Sequence, residues 1–226
     1  MRSPVANRPV ERTAETAFIF LRVSYHSTSP PMNFPVELRF KLLALSAQIA
    51  VRDGMGHLLC HVKQKMFKLK EEVTVFADEA HAKPIYHIKA DRVIDISAQY
   101  AIEDHSGRPL GVVKRLGMRS LWRAHYEIHR AGQPLLTVRE ENPWVKVADG
   151  FVSSIPILGA FAGYMLHPAY RVTRVDTGAV ALRVQKRPAL FEGVYRIDSL
   201  SALSQEDELL ATLGILMMLL LERQRG

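Results

Sequence analysis

The chain closes on DELLATLGILMMLLLERQRG, Asp207 to Gly226. From Leu209 to Leu221 only Thr212 is polar, so no face is left for water. Glu206, Asp207 and Glu208 suit the positive start of a helix, and Arg223 and Arg225 suit its negative end. Ser204 stands as the cap, with Asp207 three residues on as in a capping box. The apolar run of 13 residues spans about 20 Å, short of the roughly 30 Å of bilayer hydrocarbon. A helix apolar on every side must be enclosed on every side. One sheet or a sandwich face cannot do that, whereas a closed antiparallel barrel threaded by the helix can. The alternative is a membrane helix with Arg223 and Arg225 at the interface.

Upstream, the chain supplies the strands such a barrel needs. From Ala47 to Arg187 the pattern is alternation broken by turns at short spacing. In Leu121 to His129, Trp122, Ala124, Tyr126 and Ile128 fall on one face, and Arg123, His125, Glu127 and His129 on the other. Tyr86, Ile88 and Ala90 alternate with His87 and Lys89; Ala98, Tyr100 and Ile102 alternate with Gln99, Ala101 and Glu103. Asp53–Gly56, Asp104–Gly107, Arg130–Gly132 and Asp176–Gly178 sit between apolar runs, as hairpin loops do. VRDGMGHLLCHVK (51–63) and IEDHSGRPLGVVK (102–114) share Asp, Gly, Leu, Val and Lys at matching positions, and HRAGQPLLTVR (129–139) repeats part of the pattern. One hairpin design is reused. Residues 143–154 read as a short helix capped by Asn142, and Ile155–Leu166 as an apolar, Gly-rich stretch. Strands resume at Tyr170 and run to about Ile197.

With 226 residues the chain is long enough to bury a sizeable core. Residues 1–31, rich in Arg, Ser, Thr and Pro, read as a disordered tail or an over-extended start, with one domain over 32–226. Their longest apolar run, Ala17 to Leu21, is too short for a signal-peptide core, and Glu11 and Glu15 count against a transit peptide. The formal charge of +7 favours anionic partners without choosing among nucleic acid, membrane surface and metabolite. Cys60 is the one cysteine, so no internal disulfide forms and nothing points to an oxidising compartment.

The pieces 50–78, 86–115, 120–128 and 155–170, with the final helix, resemble the LURP-one-related group of the tubby C-terminal superfamily, which includes the phospholipid scramblases. The resemblance implies a β-dominated barrel of about a dozen antiparallel strands around a buried hydrophobic C-terminal helix. Members of that superfamily bind phosphoinositides, are associated with lipid scrambling or have no assigned activity, so the role is read from the residues: a non-catalytic binding or scaffold protein, cytoplasmic and peripheral at the inner membrane face, with anionic phospholipid or another phosphate ligand as the expected partner. No cofactor is implied.

Chemistry-bearing clusters are few. KQKMFKLK places Lys63, Lys65, Lys68 and Lys70 close together, and Lys114, Arg115 and Arg119 follow the matching hairpin; a lipid headgroup or another phosphate fits such cations. The competing reading is a charged outer wall that serves solubility. His125, Glu127 and His129 carry metal-ligand chemistry on one strand face, against a solvated outer face as the simpler reading. His57, Cys60 and His61 form a looser set: the two imidazoles share a face, and Cys60 points to the core. The sequence holds no G-x-S-x-G, P-loop, H-E-x-x-H or C-x-x-C. An enzyme with a site outside these templates, or a regulatory module binding protein or nucleic acid, is the alternative. No helix-turn-helix or aromatic RNA-binding motif supports a specific nucleic-acid partner.

Overall fold

The structure is a computed structural model and describes residues 31–43, 46–65, 72–90, 98–116, 125–141, 168–189 and 193–223. Twelve strands follow one another: β1 (Val36–Leu43), β2 (Ser46–Arg52), β3 (Leu58–Lys65), β4 (Glu72–Phe76), β5 (Pro84–Ala90) and β6 (Gln99–Asp104), then β7 (Pro109–Arg115), β8 (His125–Arg130), β9 (Gln133–Glu140), β10 (Ala169–Arg174), β11 (Val180–Arg187) and β12 (Gly193–Ser199). One helix, α1 (Gln205–Arg223), follows. Each strand pairs antiparallel with the next, and β12 returns to β1, with Leu38 opposite Tyr195, to close the barrel. Closure leaves no unpaired edge.

Alternation decides inside from outside. On β1, Val36, Leu38 and Phe40 are buried while Arg39 and Lys41 are exposed. On β8, Tyr126 and Ile128 are buried in the core. Eight strands make an interior that side chains alone can fill; twelve leave a wider one. Helix α1 fills it. Every residue from Leu210 to Leu220 is buried, Thr212 included. The helix is core, as its missing polar face requires. Among the described residues no helix is long and apolar enough to cross a membrane.

The helix is anchored at both ends. Ser204 Oγ accepts from the Asp207 N–H at 3.2 Å, and the Ser204 carbonyl accepts from the Glu208 N–H at 2.8 Å. Arg130, at the β8–β9 hairpin, grips the acidic first turn through Asp207 at 2.7 Å and through Glu206. At the far end the Arg223 guanidinium lies 4.8 Å over the Phe40 ring, and the Tyr126 hydroxyl donates to Glu222. The helix does not run down the middle. A Cβ on Gly111 of β7 would come within 2.5 Å of the His129 carbonyl oxygen and 2.7 Å of Leu210, and one on Gly214 within 2.7 Å of Ile128. These two glycines let α1 press against β7 and β8.

The repeated hairpin design has one physical basis. Asp53 Oδ1 accepts from the Met55 and His57 N–H groups, and Asp104 Oδ1 accepts from those of Ser106 and Arg108. Gly56 and Gly107 each donate to the aspartate carbonyl from a positive φ of 85° and 83°. Multiple donors hold both carboxyls down at about 2, Asn33 contributing most at Asp53 and Ser106 at Asp104. The third echo closes instead on a two-residue turn, Ala131 and Gly132, both at positive φ.

Three expectations change or go untouched. Alternation read from Ala47 omits β1, whose pattern is as regular as that of its neighbours. The helix expected over 143–154, the Gly-rich stretch 155–166 and the first part of the Leu121–His129 strand lie outside the described residues. The outer face of β8 is not solvated: His125 is 9% and His129 8% exposed. Alternation tells which way a side chain points, not what lies over it.

Candidate anion-binding surface

On an antiparallel sheet, residues in direct register stand side by side, about 5 Å apart. Strands β9, β10 and β11 put arginine at the same level three times. Arg139 is opposite Arg171, and Arg171 is opposite Arg183. All three alternate with buried neighbours (Val138, Val172 and Val184), so they project from the outer wall. Like charges placed this way repel.

Their partners do not balance them. Glu141 accepts a two-pronged pair from Arg183, Nε at 3.0 Å and Nη2 at 2.9 Å, and lies 3.8 Å from Arg171 Nε. Arg139 gives its Nε–H to His125 Nε2 at 3.2 Å, a neutral acceptor. Arg139 therefore has no carboxylate partner among the described residues. Arg171, with its side chain 56% exposed, has only the long approach to Glu141. Two adjacent guanidinium forks thus face solvent with most of their N–H groups uncommitted. Guanidinium forks match phosphate and carboxylate oxygens two at a time.

A second cationic feature adjoins this row across β12. Arg196 is in register with Gln185 of β11 and with Glu37 of β1. A cleft of about 470 Å³ runs over β1, β2 and β12, floored by Ala50 and Gly54 and walled by Arg39, Lys41, Arg52 and Arg196. Its guanidiniums are paired at the surface: Arg39 with Glu37 at 3.1 Å, Arg52 with Glu79 at 2.6 Å, Arg196 with Asp198 at 2.8 Å. Such exposed pairs contribute little, so an incoming anion competes for them at small cost.

The residues expected from sequence are distributed differently. Lys63 is exposed on β3, in register with Gln48, which is itself in register with Lys41. Lys63 therefore extends the cleft's cationic wall. Lys65 is the last residue of β3; Lys68, Lys70 and Arg119 lie outside the described residues. Lys114 faces outward on β7, opposite Glu127. Arg115 shares the inward register of Val113 and is opposite Tyr126. Four strand positions separate β3 from β7, so Lys63 and Lys114 do not share a surface.

The histidines have other partners. His129 Nε2 is 2.9 Å from Glu127, and its buried Nδ1 has no partner. His125 accepts from Arg139. Among the described residues no group of three or more His, Cys, Asp or Glu is placed to hold a metal ion. His57 sits in the β2–β3 turn, against Asp53. A register shift after Val51 takes it off the face expected from simple alternation. His61 meets His81 instead, Nδ1 to Nε2, at 2.8 Å. Cys60 is a buried core residue whose thiol is pushed up to about 12 by burial.

Sequence reading missed Arg39, Arg52, Arg139, Arg171, Arg183 and Arg196. Each is one charge among alternating residues, and only the register of strands far apart in the chain assembles them.

Residues 58–156 match the family model described as LURP-one-related. The chain is also similar to an X-ray structure of a protein from Arabidopsis thaliana, at 12% identity and a TM-score of 0.44, covering 83% of this chain and 91% of that one. No curated protein matches. The match runs from the start of β3 through β9 and holds the second aspartate hairpin and the turn that grips α1, so over these residues the chain is similar to the LURP-one-related family.

Proposed function

We propose that this barrel is a non-catalytic binding protein. It takes phosphate-bearing anions, in the first place anionic phospholipid headgroups at a membrane surface, on the outer wall of β9–β11. The observation that carries the reading is the register Arg139–Arg171–Arg183. The carboxylates of this row, Glu141 and Asp198, are held by Arg183 and Arg196, so the Arg139–Arg171 pair of like charges costs stability in the free protein. An anion bridging Arg139 and Arg171 removes that cost. The overall charge of +7 draws such a surface in, and the arginine row gives the contact geometry. The cytoplasmic leaflet is the surface with the matching sign.

The test is sedimentation with phosphatidylcholine vesicles, with and without phosphatidylserine, at low salt. The wild type is expected in the pellet only with the anionic lipid. Arg139→Gln/Arg171→Gln is expected to lower binding by roughly 10-fold or more, about 1 kcal/mol for each cation near the surface. Lys89→Gln/Lys114→Gln, on β5 and β7, removes two charges from another wall and serves as the charge-matched control. Equal loss in the control and the arginine variant would reject the arginine row as the site. No pelleting of the wild type would reject the lipid.

A further inference from the structure

Because α1 leans on β7 and β8, it leaves space elsewhere around its first turns. A cavity of about 440 Å³ opens there at the barrel mouth, between the helix and β2, β3, β5 and β7. That size is within the roughly 300–1,000 Å³ of small-molecule sites. Its walls divide by chemistry. Leu59, Ile85, Leu110, Leu209 and Leu213 give an apolar interior, and Lys83, His105 and Arg108 stand at the rim. Lys83 Nζ and the His105 ring have no hydrogen-bond or ion-pair partner among the described residues.

Two details point to an acceptor-rich occupant. The carboxylate on the lining, Asp104, already accepts from the Ser106 N–H and hydroxyl and from the Arg108 N–H and Nε. Its Oδ2 pairs with Arg108 Nε at 3.0 Å, which offsets that charge, and leaves the terminal N–H groups of the fork and the Lys83 ammonium for the occupant. On the helix wall, Thr212 is buried, and its hydroxyl donates to the Met32 thioether at 3.7 Å. A thioether is a weak acceptor, and a hydroxyl buried without an oxygen or nitrogen partner is costly. The cavity therefore offers an apolar interior and a set of uncommitted donors, with Gln205 adding one amide at the edge.

We propose that this mouth is a binding site for a single-chain amphiphile with a carboxylate head, a fatty acid. The chain lies along Leu59, Ile85, Leu110, Leu209 and Leu213, and the head lies among Lys83, Arg108 and His105. The site is on the interior side of the barrel and does not depend on the outer arginine row.

Isothermal titration of the full chain with dodecanoate, below its micelle concentration, tests this. The expected result is saturable one-to-one binding. Lys83→Gln, a change at an exposed rim position, should weaken it about tenfold, the loss of one charge-assisted contact. Leu59→Trp fills the cavity and should abolish it. Lys114→Gln, outward on β7 and opposite Glu127, should leave it unchanged. Dodecyltrimethylammonium, with the same chain and the opposite charge, should not compete. Non-saturable uptake, equal binding of the cationic amphiphile, or unchanged affinity in both Lys83→Gln and Leu59→Trp would overturn the proposal.

Discussion

At the scale of single residues, charge, space and protonation each make a prediction. Arg139 is held by a neutral histidine and faces Arg171. Arg139→Gln keeps a donor for His125 and removes the repulsion, so the variant should be more stable by about 0.2–1 kcal/mol at low salt while binding anionic vesicles less well. A residue kept for packing would lose stability, so a lowered melting temperature in this variant argues against a functional arginine. Gly111 makes the opposite case. Its missing Cβ is what admits the His129 carbonyl, a backbone atom that cannot swing aside. Gly111→Ala should cost about 1–3 kcal/mol in thermal or urea unfolding. His61 gives the pH prediction. Burial, and then the facing His81, lower its pKa below 6.5; Arg52 adds to this, and Glu79 and Asp78 oppose it. The folded state thus binds fewer protons than the unfolded one as pH falls below 6.5. Stability is full above that value and is lost as pH drops through the folded pKa. His61→Gln should flatten this part of the stability–pH curve, and an unchanged curve would show that the pair is not its source.

At the scale of elements, what the sequence made legible was whatever is local. The capping box at Ser204, the all-round apolar helix and the Asp–Gly hairpins are each written within a few consecutive residues, and each is present. Ser204→Ala should cost about 1 kcal/mol, since one N–H of the first turn loses its acceptor. Leu216→Asp should cost several kcal/mol, roughly the whole stability of an ordinary domain, because no water or cation reaches that position. A Leu216→Asp protein melting at the wild-type temperature would show that α1 is not enclosed. The arginine row was illegible for the converse reason. Arg139, Arg171 and Arg183 span 45 positions of chain, and nothing near any of them in sequence reveals the other two. Register assembles them, and register comes from hairpin lengths and bulges such as the shift after Val172. The lysine-rich stretch from Lys63 was legible because it is local. Lys63 and Lys65 are two residues apart on β3 and so share a face, and Lys68 and Lys70 lie outside the described residues.

At the scale of the whole molecule, the order of the chain makes the helix decisive. Strands β1 to β12 are neighbours in sequence, so every pairing but one forms locally; β1 with β12 is the exception and joins residues about 150 positions apart. The element that fills the interior comes last. Until α1 is present, a twelve-stranded wall would enclose a space too wide for its own side chains, lined by Leu38, Ile49, Ile88, Ile128, Leu182 and Ile197 with nothing to meet. Water in that space would cost the hydrophobic term, and collapse would break the ladder. Closure and helix docking should therefore be one cooperative event. A chain stopped after Leu203 keeps every strand, yet it should lose the sharp thermal transition and bind a dye that reports exposed apolar surface. Supplying residues 204–226 as a separate peptide should restore the transition in proportion to peptide concentration, as any ligand of the folded state does. If the truncated chain melts sharply at the wild-type temperature without the peptide, the barrel is self-sufficient and the helix only occupies it.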